Sequence, residues 1–262
     1  MFFLCRLGCE FLNIDSFACA VKQGVYQQLF LLPFRFHQMK LLNIRSWHSW
    51  LASLLFWFLP GALQAQTAPF ADEIADFARQ DSITSPPERS IVFTGSSSIR
   101  MWNTLKSDFP SRPVLNRGFG GSQLKDVNHY FEQLITPYHP RQVVLYAGDN
   151  DINAGLTPAQ VFEEFRTFAE RLHRELPGTR LVYIAIKPSL ARFAQYDKMQ
   201  AANKQIQQYT KTHRWAQFAD AGPAMLGTNG KPRPELFKED GLHMTPAGYA
   251  IWTKTLRPYL AR

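Results

Sequence analysis

The stretch "QVVLYAGDND", Gln142 to Asp151, joins an unbroken apolar run to a glycine and a cluster of amide and carboxylate side chains. An apolar run without polar alternation suits a strand buried on both faces, as in a parallel sheet covered by helices on each side. The runs "IVF" at 91–93, "PVLN" at 113–116, "RLVYIAIK" at 180–187 and "AQFAD" at 216–220 repeat the pattern. Helical stretches lie between them. Val161, Phe165, Phe168, Leu172 and Leu176 recur at the spacing of one helix face. Thr157-Pro158 opens that helix, Gln160 completes a capping box with Thr157, and Pro177-Gly178 closes it. Leu124 to Ile135, Met199 to His213 and Pro246 to Leu260 read as further helices. Strands alternating with helices imply a three-layer α/β/α sandwich around a mostly parallel five-stranded sheet.

In such a sheet, sites form at the carboxyl ends of the strands. Three of those ends carry polar, backbone-flexible residues: "GSSS" at 95–98, "NRGFGGS" at 116–122 and "AGDND" at 147–151. They lie on one edge and can share a cleft. Near the end of the chain, "EDGLHMTPAGY" sets Asp240 and His243 three residues apart, just before the helix opened by Thr245-Pro246. That offset lets an Asp carboxylate reach the Nδ1–H of a His whose other nitrogen faces a serine.

A serine hydroxyl is a weak nucleophile until a base removes its proton. After residue 65 the candidates for that base are His129, His139, His173, His213 and His243. The first, third and fourth belong to predicted helices, and His139 sits beside Pro140 in a connector. Only His243 occupies a short polar loop with an Asp at hand. The oxyanion of an acyl-transfer intermediate needs donors aimed in advance. Gly121, lacking a Cβ, allows close backbone approach, and Asn150 offers an amide NH₂.

Taken in order, these blocks resemble the SGNH hydrolases, also called GDSL esterases and lipases, and they cover nearly all of residues 85–262. The resemblance implies a flavodoxin-like SGNH hydrolase fold. It places Ser97 at the nucleophile, with Asp240 and His243 completing the triad. It makes Ser97, Gly121 and Asn150 the oxyanion hole. Ser96 stands where the name motif has Asp, and Ser98 where it has Leu. No metal or organic cofactor is implied. The family acts on acetylated carbohydrates, short acyl esters, lysophospholipids and thioesters. Residues 66–262 carry no long apolar insertion to cover a lipid tail, which favours short acyl chains on a small-molecule, glycan or lipid alcohol. A non-catalytic binder of cell-envelope glycans on the same fold is the alternative, and it has no need of all four of Ser97, Asp240, His243 and Asn150.

Other patterns fail on chemistry. "DNDIN" at 149–153 starts like a calcium loop, but Ala154 and Gln160 replace the required Gly and Glu. The Gly-x-Ser-x-Gly elbow is broken by Ile99. Trp102 reads as core rather than pocket lining.

The first 65 residues differ from the rest, holding all three cysteines, Cys5, Cys9 and Cys19, and few acidic residues. From Met39 to Ala65 the order is that of a secretory signal: Lys40 and Arg45, an apolar middle from Trp50 to Leu59, then Leu63-Gln64-Ala65. The apolar middle is about half the roughly 20 residues a spanning helix needs. The expected division is therefore an upstream extension over 1–38 with translation starting at Met39, a signal peptide over 39–65, and an esterase domain over 66–262. The last would be exported, periplasmic or secreted, free of cysteine and without stable membrane insertion. The alternative use of Trp47 to Leu63 is as a membrane tether. The modest positive excess left in residues 66–262 forms no basic run, so nucleic acid is not an expected partner.

Overall fold

The computed structural model describes residues 68–261. The expected signal segment, Met39 to Ala65, and the extension before it lie outside the described residues. The strands fall where the apolar runs predict them: β1 Ile91–Gly95, β2 Val114–Gly118, β3 Gln142–Tyr146, β4 Arg180–Ile184 and β5 Ala216–Ala219. Every pairing is parallel, in the order β2-β1-β3-β4-β5. This is the doubly wound arrangement whose order reverses beside β1, which puts a crevice at the carboxyl ends of β1 and β3.

The main helices are α1 (Ala71–Ile83), α2 (Ser97–Arg100), α3 (Leu124–His129), α4 (Phe131–Leu134), α5 (Asp149–Asn153), α6 (Pro158–Glu175), α7 (Tyr196–Thr212) and α8 (Pro246–Leu256). One apolar layer joins Val92, Val143, Leu145 and Leu181 of the sheet to Leu124, Val161, Phe165, Met199 and Ile206. The other joins Ile91, Phe93, Val144, Tyr146 and Val182 to Ile99, Trp102, Tyr249, Trp252 and Leu256. Adjacent strand residues therefore serve opposite layers, as the pleat requires. Both faces are dry, hence the unbroken apolar runs.

Helix α6 carries the predicted capping box. The Thr157 hydroxyl accepts from the Gln160 N–H at 3.3 Å, and Gln160 Oε1 accepts from the Thr157 N–H at 2.9 Å. Two expectations need correction. Leu124 to Ile135 is not one helix but two, because Tyr130 leaves helical geometry with ψ 17°. Its ring packs edge-on against Phe119, and its hydroxyl donates to the Pro69 carbonyl at 2.6 Å, contacts that a continuous helical pattern does not anticipate. The "GDND" segment, expected as a loop, winds into α5 directly after Gly148 at φ 120°. Helix α1 buries only Ile74, too narrow an apolar face for sequence periodicity to reveal residues 71–83 as a helix.

Candidate active site

Gly95 ends β1 with φ 120°, and a Cβ there would lie 1.8 Å from the Tyr146 carbonyl oxygen of β3. Only glycine fits so close a crossing. The Ser96 N–H then donates to that same carbonyl at 2.9 Å, while the Phe119 N–H beyond β2 donates to the Gly95 carbonyl at 3.0 Å. These bonds stitch together the loops that follow β1, β2 and β3. Ser97 is the first residue of α2, so its N–H belongs to the donors a helix start leaves unpaired.

The three serines are not equivalent. Ser96 and Ser98 are almost fully buried, at 1% and 2% exposure, and Ser97 reaches 9%. The Ser97 hydroxyl lies 2.9 Å from His243 Nε2. His243 Nδ1 lies 2.6 Å from Asp240 Oδ2. The other carboxylate oxygen, Oδ1, accepts the backbone N–H groups of Leu242 and His243, each at 2.9 Å. Burial raises the Asp240 pKa, but hydrogen bonds from the His243 ring and those two N–H groups outweigh it and lower it to about 2. The carboxylate is therefore ionised wherever an imidazole works as a base. The loop itself is fastened by Lys238 N–H to the His243 carbonyl (2.8 Å) and by Thr245 N–H to the Leu236 carbonyl (2.9 Å). From α8, the Tyr249 hydroxyl donates to the Ser98 carbonyl at 3.0 Å, tying this end of the chain to the nucleophile turn.

In the turn after β2, Gly121 is solvent-exposed. Among the described residues its N–H has no acceptor. A Cβ on Gly121 would be 3.9 Å from Asn150 Nδ2, so the two candidate donors adjoin. Asn150, the second residue of α5, donates to the Ser122 carbonyl at 3.0 Å, leaving the second amide hydrogen available. The structure thus brings Ser97, His243 and Asp240 into one hydrogen-bonded chain, with Gly121 and Asn150 together at the neighbouring loop ends.

The other described histidines stay apart from Ser97. His129, His139 and His173 are exposed, His173 stacks on Trp215, and His213 stacks on Tyr209 at 3.9 Å between centroids. Trp102 is core, 1% exposed and packed on Phe93, Phe109, Tyr249 and Trp252. Among the described residues no group of His, Asp and Glu side chains is arranged to hold a metal ion. A concavity of about 450 Å³ beside Asp81, Pro86, Tyr138 and His139 opens by the residues leading into β1 and β3, at the other end of the sheet from the triad. Its hydroxyl beside a carboxylate is that of Tyr138, which donates to Asp81 Oδ2 at 2.6 Å and whose pKa burial raises to about 12, the reverse of activation.

Sequence reading missed two supports of this site. Glu73 of α1 accepts the Gly120 N–H at 3.0 Å and receives Arg100 at 3.2 Å. Phe70 sits where a Cβ on Gly120 would come within 2.2 Å of its ring, so the segment before β1 braces the "GFGG" turn. The second is a buried charge group behind Asn150. Arg192 Nη1 donates to Asn150 Oδ1 at 2.9 Å and to Asp149 Oδ2 at 3.0 Å, and Lys187 Nζ lies 4.0 Å from that same Asp149 oxygen. A lysine closing the apolar run "IAIK" was the available signal, because a buried ammonium requires a partner.

A serine–histidine–aspartate chain at the crevice of a doubly wound sheet is an arrangement that can serve acyl transfer. Residues 81–251 match the GDSL-like Lipase/Acylhydrolase family, and the chain belongs to it, which makes it a carboxylic ester hydrolase. Among solved structures, a GDSL-like lipase from Bacteroides thetaiotaomicron superposes with TM-score 0.63 at 22% identity, covering 71% of this chain and 96% of its own. A lipase/acylhydrolase from Enterococcus faecalis gives 0.55 at 21% identity, with 66% and 97% covered. An acetylxylan esterase from Geobacillus stearothermophilus gives 0.53 at 14% identity, with 64% and 93% covered. The fold expectation is thereby met, with every strand parallel. No curated protein sequence matches the chain.

Proposed function

We propose that this protein is an exported serine esterase that removes short acyl groups from a small-molecule, glycan or lipid alcohol. The reading is carried by one observation, the unbroken chain from Ser97 Oγ through His243 to Asp240 at 2.9 and 2.6 Å. In it, His243 Nε2 takes the proton as Ser97 Oγ bonds to the ester carbonyl carbon. Asp240 holds the ring in the tautomer whose Nε2 is free to accept and steadies the imidazolium that forms. The negative charge on the former carbonyl oxygen is held by the N–H groups of Ser97 and Gly121 and by the Asn150 amide. As the intermediate collapses, the C–O bond to the alcohol breaks and His243 returns its proton to the departing oxygen. Water then attacks the acyl-enzyme, again losing a proton to His243, and the acid leaves with Ser97 restored. The absence of a long apolar insertion in residues 66–262 supports short acyl chains. The acetylxylan esterase among the structural relatives makes an acetylated glycan a suitable substrate class to test. Export rests on the signal-like order of Met39 to Ala65.

A series of p-nitrophenyl esters of increasing chain length, assayed with wild type and Ser97→Ala, tests the proposal. Turnover should be highest for acetate to butyrate and vanish in Ser97→Ala, while Ser96→Ala and Ser98→Ala keep a measurable share. A fluorophosphonate label mapped to Ser96 or Ser98 would refute the Ser97 assignment.

A further inference from the structure

The Asn150 side chain can sit in two orientations that differ only by exchanging its oxygen with its NH₂, and only one of them presents a donor to an oxyanion. The group that selects between them lies behind it. Arg192 has N–H donors and no acceptor. The two hydrogens of its Nη1 are directed to Asn150 Oδ1 at 2.9 Å and Asp149 Oδ2 at 3.0 Å. On the other side, the Ser122 carbonyl, an acceptor only, takes one Nδ2 hydrogen at 3.0 Å. Exchanging O and NH₂ would set donor against donor at Arg192 and acceptor against acceptor at Ser122. The guanidinium is itself held in place. Its side chain is 14% exposed, Asp149 is 6% exposed, and Lys187, 1% exposed, approaches the same Asp149 oxygen. Asp149 therefore holds in one place a guanidinium that would otherwise be free to move.

We propose that Arg192 is a positioning residue for the oxyanion hole: its contact with Asn150 Oδ1 locks the amide with Nδ2 toward the oxyanion. Its charge also draws electron density through the amide, which strengthens the remaining N–H as a donor. This rests on the reading of Asn150 as an oxyanion donor, and it concerns a residue that itself touches no reacting atom.

The test is a double-mutant cycle on a soluble short-chain ester, with Arg192→Met and Arg192→Lys each made in wild-type and Asn150→Ala backgrounds, and folding followed by circular dichroism. Removing an oxyanion donor outright costs on the order of 10²–10³ in kcat, so loosening it by Arg192→Met should cost about 10–100-fold with KM nearly unchanged. Arg192→Lys keeps a cationic donor and should recover part of that loss. In the Asn150→Ala background the Arg192 substitutions should cost less than about threefold, because residues acting as one unit are non-additive. Arg192→Lys serves as the folded probe if Arg192→Met does not fold. A raised KM at unchanged kcat would make Arg192 a substrate contact and overturn the proposal. An equal loss in both backgrounds would overturn it too, since Arg192 would then act elsewhere. Full activity in Asn150→Ala alone would instead remove the reading on which the proposal stands.

Discussion

Asn150 shows how one residue type serves two purposes that only its surroundings separate. As a mere helix-start residue it would accept Asn150→Asp almost silently. As an oxyanion donor it would not, because an ionised carboxylate both removes the donor and repels the developing charge. Asn150→Asp should lower kcat by at least the 10²–10³ or so expected for a lost donor, more than Asn150→Ala, with KM little moved. Steady-state kinetics on folded protein decides this, and a variant keeping more than about a third of wild-type kcat would reduce Asn150 to a structural residue. Ser97 and its neighbours make the same point. The three hydroxyls are equal in sequence, but only Ser97 meets His243 in the structure.

At the scale of elements, the helices differ in how their ends are satisfied. Helix α6 is closed by local chemistry, so Thr157→Ala should destabilise the protein by about 1 kcal/mol and leave turnover intact, as a urea titration beside an ester assay would show. Helix α3 adds a distant partner to its local cap, in which Asp126 Oδ2 accepts the Gln123 N–H at 2.8 Å. Its Leu124 N–H donates to Asp151 Oδ1 of α5 at 2.9 Å, while Asp151 Oδ2 is buried with no hydrogen-bond partner among the described residues. Burial raises the Asp151 pKa from 3.8 to about 7, with the Leu124 N–H opposing. A raised carboxyl pKa means that the folded state holds a proton the unfolded state has released. The stability it contributes is complete below about pH 4 and is lost as pH rises through about 7. Asp151→Asn keeps the acceptor for Leu124 and removes the ionisation. It should be more stable than wild type at pH 8, by on the order of 2–4 kcal/mol, and therefore melt higher there, and should match it at pH 4. Parallel thermal melts at the two pH values check this, and an unchanged difference between variant and wild type across that range would disprove it.

For the whole molecule, the order of the sheet determines what meets what. Placing β1 between β2 and β3 puts three carboxyl-end loops side by side, and α8 packs against the same face as α2, so the Asp240–His243 loop arrives over Ser97. The proposed export also belongs at this scale. Intact-mass measurement of the protein recovered outside the cytoplasm should give a chain beginning at Gln66. A recovered species that retains Cys5 or Cys19 would rule out both cleavage after Ala65 and initiation at Met39.

The amino-acid sequence by itself determined those features whose causes are local. Unbroken apolar runs placed all five strands, since a strand buried on both faces has no room for polar alternation. Thr157 with Gln160, and Pro177-Gly178, set the ends of α6, because caps act within one turn. Asp240 and His243 were legible as a pair for the same reason, being three residues apart. Tertiary structure alone decided the rest. Ser97 and His243 are 146 positions apart, and Arg192 and Asn150 are 42 apart. The break at Tyr130 and the bracing of Gly120 by Phe70 and Glu73 come from contacts across the fold. Such contacts leave no periodic trace, because burial of a charge or an aromatic ring is settled by which distant segment arrives beside it.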